Sequence, residues 1–189
     1  MTKPKPANPA LSISHPDLAS ALEQIGTEID HQPLRSSALA RIMRETFHGS
    51  DAGGAWDWRM AYDLMQAAAI QVVLRGEGAA GGIAAAKLLA SRLLTETRRS
   101  EQQIRLQQFS TPLAFAALVL RAAAIRKGET VLEPSAGTGA LVGFAARAGA
   151  TLLLNEIPPT APRSSTPRPK APRAADWPGC APATESAST

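Results

Sequence analysis

The sequence predicts an α/β protein in which a helical N-terminal region precedes one strand–loop–helix–strand unit. Three observations support this prediction. Large apolar residues recur at helical spacing through much of residues 31–100. Two short apolar runs, at 131–132 and 152–154, flank an alanine-rich stretch with helical character. A turn of small residues at 134–139, here called the glycine loop, directly follows the first run and its terminal acid.

Length and composition allow one domain of ordinary size with tails. The 189-residue chain is 44% hydrophobic but only 4% aromatic, and alanine, which buries little area, fills much of the apolar count. The net charge of +4 is compatible with a DNA partner, but the basic residues are scattered and an ordinary basic protein explains them more simply. The single cysteine, Cys180, excludes an internal disulfide framework and a cysteine-based zinc cluster.

Targeting signals are not evident. No apolar run reaches the ~18 residues that a membrane span requires. The N-terminal residues lack the apolar stretch of a signal peptide. We therefore expect a cytoplasmic protein with no membrane partner.

Residues 1–30 are predicted to be mostly a disordered tail, because the first of them are polar and rich in proline. A short helix is compatible with the end of this segment. Ser14 is a suitable cap, and Leu18, Leu22 and Ile25 follow it at helical spacing.

Residues 31–100 are predicted to form a helical region with helices near 33–47, 56–75 and 83–94. In the first, Leu39 stands at the start of a stripe that recurs at each helical turn. Glycine-rich segments separate the three helices and interrupt their patterns.

Two features of this region have alternative interpretations. An aromatic group, Trp56, Trp58 and Tyr62, has the composition of a base-stacking platform. We favour the alternative, in which these rings are the large anchors of a core of small residues. The polar connector that follows contains three arginines, Arg98, Arg99 and Arg105. Contacts with DNA phosphates would suit them, although such arginines more often form a solvated face.

Residues 101–157 contain the most informative pattern, a helix followed by one complete βαβ crossover. Basic residues and Gly128 are expected to close the first helix of this unit. The glycine loop then lies between a strand and a helix N-terminus, where backbone N–H groups can face a ligand. The expected helix, strand, helix and strand occupy residues 113–125, 130–133, 140–148 and 151–155.

The residues around the glycine loop discriminate between the ligands that such loops bind. A phosphate-binding P-loop requires a lysine at the position of Ala140, and a nicotinamide fingerprint requires a third glycine where Val142 stands. S-adenosylmethionine is held by a glycine turn together with acids at the ends of two successive strands. Glu133 and Glu156 occupy those two positions. A turn needed only for packing would explain a lone pair of glycines but not the two acids.

Two sequence blocks resemble a known family. Residues 131–141 (Val-Leu-Glu-Pro-Ser-Ala-Gly-Thr-Gly-Ala-Leu) resemble motif I of the N6-adenine DNA methyltransferases, and residues 108–112 (Gln-Phe-Ser-Thr-Pro) resemble their motif X. Motif X before motif I is the order of the gamma-type enzymes, and Glu156 matches the motif II acid that holds the ribose. More narrowly, residues 49–58 and 97–103 with the motif block resemble the methylase-like N-terminal region of bacterial strawberry-notch-like proteins, which also carry a helicase-like portion.

The resemblance covers residues 30–157 and implies a partial Rossmann-like methyltransferase fold over 101–157. It implies S-adenosyl-L-methionine as cofactor, DNA as substrate and a helicase-like portion or protein as partner. The residues that it assigns to cofactor binding are Phe109, Ser110, Thr111, Pro112, Glu133, Pro134, Ser135, Ala136, Gly137, Thr138, Gly139, Asn155 and Glu156.

The chain departs from the family after the second strand. The family continues with further strands and an Asp/Asn-Pro-Pro-aromatic motif that holds the flipped adenine, and no such motif occurs here. Residues 158–189 contain more than half of the chain's 15 prolines and no structural period, which predicts a disordered tail. We therefore expect a truncated or frameshifted methyltransferase with no catalytic residues, inactive alone. The alternative is a non-enzymatic helical interaction module that retains the glycine loop as a vestige.

Overall fold

The chain is a mixed α/β structure with a small parallel sheet. The computed structural model describes residues 15–76, 82–97 and 110–155. Within those ranges no helix is long and apolar enough to cross a membrane. The elements are α1 (His15–His31), α2 (Ser36–Thr46), α3 (Trp58–Arg75), α4 (Ile83–Arg92), α5 (Leu113–Ala123), β1 (Thr130–Glu133), α6 (Ala140–Arg147) and β2 (Thr151–Leu154).

The first helix corrects the predicted N-terminal boundary. The short helix expected after Ser14 is present as α1, and it extends through the second half of the predicted 1–30 tail to His31. Ala21, Ile25 and Ile29 on its inner face are fully buried. The apolar stripe continues past Ile25 to Ile29, and burial of that stripe against α2 and α3 stabilises the helix. The proline-rich residues 1–14 lie outside the described residues, as does the predicted tail at 158–189.

The helical region is organised around α3, which packs against α1, α2 and α4. The three predicted helices of this region are present, and the stripe that starts at Leu39 is buried. Trp56 and Tyr62 are also buried, and the indole N–H of Trp56 donates to the carbonyl of Gly49 at 2.9 Å. These two rings are therefore core anchors, as favoured above, because buried faces cannot stack on a base.

Helix α5 ends earlier than predicted. Its last residue is Ala123, and Ala124 adopts a left-handed conformation with φ 50° that terminates the helix. Gly128, which was expected to close the helix, instead shapes the next turn with φ 86°. Its N–H donates to the carbonyl of Gly149 at 2.8 Å. Gly128 therefore aligns the start of β1 beside the start of β2.

The two strands pair in parallel with Thr130 opposite Thr151 and Glu133 opposite Leu154. Helix α6 connects them and covers one face, where Val142 is buried with Leu152 and Leu154 against it. Within the described residues, no element covers the opposite face. Its two central leucines are the cross-strand partners Leu132 and Leu153, and they are 67% and 43% exposed.

Helix α6 anchors the sheet unit to α3 through a very close contact. A Cβ placed on Gly143 would lie 2.6 Å from Cγ2 of Ile70, so only glycine permits this approach. At the end of α6, the guanidinium of Arg147 donates to the carbonyls of Val73 and Gly76 at 3.2 and 2.9 Å. Arg147 therefore satisfies carbonyl groups that the C-terminus of α3 cannot use internally.

Replacing Gly143 tests this anchor. Gly143→Ala should lower the free energy of unfolding by about 1–3 kcal/mol, because the added methyl overlaps the buried side chain of Ile70. Urea unfolding followed by circular dichroism measures the change.

Gly26→Ala is the matched control for Gly143→Ala. Gly26 also lies within a helix and faces another helix, but its added Cβ would lie an ordinary 3.5 Å from Val72. This variant should be neutral or more stable by about 0.5–1 kcal/mol, since alanine is the better helix former. Equal effects of the two substitutions would contradict the close contact at Gly143.

Candidate functional site

The glycine loop adopts a conformation that depends on its two glycines. Gly137 and Gly139 have φ values of 51° and 90°, in the left-handed region that other residues rarely adopt. The N–H of Gly139 donates to the carbonyl of Ala136 at 2.8 Å, and the Gly139 carbonyl accepts from Gly143 at 2.8 Å. The loop thus turns directly from the end of β1 into the first turn of α6.

Glu133 is the acid at the tip of β1, and it stabilises the first turn of the loop. Its Oε1 accepts a hydrogen bond from the N–H of Ser135 at 2.9 Å. A side chain that accepts from the main chain two residues ahead fixes a turn in the same way as an Asx turn. Glu133 is half-buried. The acid predicted to contact a cofactor therefore also shapes the loop that would approach it.

Asn155 joins the end of β2 to the same loop. Its N–H donates to the carbonyl of Glu133 at 2.9 Å, and its carbonyl accepts from the N–H of Ala136 at 3.0 Å. Its side-chain Nδ2 donates to the carbonyl of Pro134 at 3.2 Å. The predicted site residues 133–136 and Asn155 are thus brought together at one edge of the sheet.

The N-terminus of α6 opens next to this junction. The first N–H groups of any helix have no partner within the helix, and Gly139, at the cap position, has no side chain to bond to them. Those donors and the helix dipole favour an acceptor or an anionic group. Pro134, Ser135 and Gly137 are exposed around them. The arrangement suits the close approach of a polar ligand to main chain.

The predicted cofactor residues at 110–112 directly precede α5 and are not part of the glycine loop. Ser110 and Thr111 are half-buried and Pro112 is exposed. The carbonyl of Pro112 accepts from the N–H groups of Phe115 and Ala116 and begins the helix. Helix α5 packs against α6, the helix that follows the glycine loop. Residues 110–112 are therefore connected to the site through the contact between these two helices.

Several predicted residues fall outside the described part of the chain. They are Phe109 and Glu156 of the predicted cofactor site and the arginines Arg98, Arg99 and Arg105 of the connector. Their roles stay predictions. Conversely, the sequence patterns did not identify Gly143 and Arg147, which attach α6 to α3. An isolated glycine inside a helical pattern is the signal that marks such close packing.

Comparisons of the chain with protein-family models, with curated proteins and with solved structures found no match. The geometry of the glycine loop and the resemblance of its motifs are therefore the basis for a functional proposal. Both concern the same stretch of chain, from β1 to the end of β2.

The conformation of the loop can be tested by removing its glycines. Gly139→Ala should lower the free energy of unfolding by about 1–2 kcal/mol, because an alanine at this φ is strained. The amide resonances from Gly137 to Leu141 should shift together in a ¹⁵N–¹H NMR spectrum.

Gly54→Ala is the control for backbone strain. Gly54 also has a positive φ, 76°, and a Cβ added there would meet no atom within 4 Å. The Gly54→Ala variant should lose a similar amount of unfolding free energy, but the resonances of the glycine loop should not shift. An unperturbed loop in Gly139→Ala would show that the left-handed turn is not required.

Proposed function

We propose that residues 101–157 are the S-adenosyl-L-methionine-binding portion of a DNA (adenine-N6) methyltransferase with a partial Rossmann-like fold. One observation carries the proposal. The glycine loop lies between the tip of β1 and the N-terminus of α6, and Asn155 holds it against the tip of β2. The resemblance to methyltransferase motif I assigns the cofactor to that position.

The residues of this edge fit the parts of the cofactor. The exposed main chain at Gly137 admits a ligand closely, since a Cβ there would meet only the Ser135 carbonyl, 3.9 Å away. The uncapped α6 N-terminus favours the cofactor's carboxylate. Glu133 would face its ammonium group, and Glu156 would accept hydrogen bonds from both ribose hydroxyls.

The chemistry that the cofactor supplies is a methyl group on a sulfonium, which a nucleophilic amine can displace. Transfer to adenine also requires a pocket that holds the flipped base and orients its exocyclic amine. The Asp/Asn-Pro-Pro-aromatic motif that serves this purpose in the family is absent from the sequence. The chain would therefore bind the cofactor without turning over DNA by itself.

The open surfaces of the sheet unit support its assignment as part of a larger sheet. Parallel sheets are normally covered on both faces, and two strands alone are marginally stable. Here Leu132 and Leu153 are exposed on one face of the sheet. Helix α5 also exposes Phe115, Leu118 and Val119.

A non-enzymatic helical interaction module is the second candidate, and the distribution of the core favours it. Nearly all of the largest fully buried side chains lie in α1, α2 and α3. That region would fold without a cofactor, and the glycine loop would then serve only as a turn. The two candidates differ in one property, because a vestigial loop should not bind S-adenosyl-L-methionine.

Calorimetric titration of S-adenosyl-L-methionine into the purified chain tests the proposal. We expect saturable binding, and we expect Glu156→Ala to weaken it at least about tenfold, since a ribose held by two charge-assisted hydrogen bonds would lose both. Glu23→Ala, which removes an exposed acid from α1, should leave the affinity unchanged. A folded chain that does not bind the cofactor would favour the helical module.

The same preparation should transfer no methyl group to adenine in duplex DNA, because the base-binding motif is absent. Incorporation of radiolabelled methyl groups into DNA measures this. Turnover by the isolated chain would contradict the proposed division between cofactor binding and base binding.

A further inference from the structure

We propose that Asn155 is a positioning residue, which holds the glycine loop in its ligand-binding conformation and does not itself contact the cofactor. The resemblance assigns Asn155 to the cofactor contacts, but the structure directs its side-chain amide and its main-chain carbonyl to the loop. The identity of the ligand rests on the function proposed above. The ordering of the loop by Asn155 does not.

Asn155 forms hydrogen bonds with Glu133, Pro134 and Ala136. Its N–H continues the strand pairing beyond Leu154 by donating to the carbonyl of Glu133 at 2.9 Å. Its side-chain amide donates to the carbonyl of Pro134 at 3.2 Å, and its carbonyl accepts from Ala136 at 3.0 Å. The loop cannot move away from the end of β2 without breaking the two bonds at Pro134 and Ala136.

The amide side chain is required for one of these bonds. The acceptor is a carbonyl oxygen, so the side chain must donate, which an aspartate carboxylate cannot do. Proline contributes no N–H of its own, and the N–H of Ser135 already donates to Glu133. The side-chain amide of Asn155 therefore ties the Pro134 carbonyl to the residue that follows β2.

This junction also connects the two halves of the proposed site. The carbonyl that accepts from Ala136 belongs to the peptide group between Asn155 and Glu156. The glycine loop is therefore hydrogen-bonded to Asn155, which directly precedes the residue predicted to hold the ribose in the sequence. Local ordering of this kind changes the population of a loop conformation more than it changes the stability of the whole fold.

Four variants separate positioning from a general structural role. Asn155→Asp keeps the shape but removes the donor, Asn155→Ala removes the side chain, and Asn155→Gln keeps the amide donor. Thr151→Ala is the matched control, since Thr151 is an exposed residue at the opposite end of the same strand. Each variant is made in the full chain, and its unfolding in urea shows whether the fold is intact.

Amide hydrogen exchange measured by NMR is the first readout. Asn155→Asp and Asn155→Ala should accelerate exchange at Ala136 and Gly139 by about fivefold, the factor expected for loss of one ordinary hydrogen bond. Exchange in α1 to α4 should not change. Asn155→Gln should stay close to the wild-type chain, and Thr151→Ala should have no effect on the loop. Unchanged loop exchange in Asn155→Asp would overturn the proposal.

Affinity for S-adenosyl-L-methionine is the second readout and should fall by a similar factor in the same two variants. A loosened loop with unchanged affinity would also overturn the proposal, because positioning would then not matter for binding. If the wild-type chain does not bind the cofactor, the proposed function fails. The exchange experiment still decides whether Asn155 orders the loop.

Discussion

The close approach of α6 to α3 is the constraint on which the rest of the structure depends. Gly143 permits it, and Arg147 secures its end by bonding to the last carbonyls of α3. A two-stranded parallel sheet is marginal by itself. Here it gains a covered face only because α6 lies between the strands and the helical region. The helices are therefore the scaffold that holds the glycine loop in place.

Sequence patterns predicted the elements around the loop well because their signals are local. The bounds of β1 were predicted to the residue, and α6 and β2 to within one residue. A short helix is predicted after Ser14, but its full length to His31 depends on burial of Ile25 and Ile29 against other helices, which composition does not reveal. The end of α5 at Ala124 was missed because alanine gives no signal of a left-handed conformation.

The candidate site likewise has some features that local sequence patterns predict and others that depend on the tertiary structure. The turn at 134–139 could be predicted from residue type and spacing, and Gly137 and Gly139 adopt there the positive φ values that glycine readily permits. The role of Asn155 depends on the register between β1 and β2, which places its amide beside Pro134, and no local pattern specifies that register. In the proposed enzyme these features form the cofactor-binding part, in which main-chain groups contact the ligand. The base pocket and the further strands would be supplied by another part of the enzyme.

The most direct test of this account is hydrogen–deuterium exchange of the intact chain with and without S-adenosyl-L-methionine, followed by mass spectrometry of its peptides. The account predicts slower exchange in the peptides that contain the glycine loop and the end of β2, with α1 to α4 unchanged. Saturating cofactor that leaves those peptides unprotected, or protects only the helical region, would contradict it.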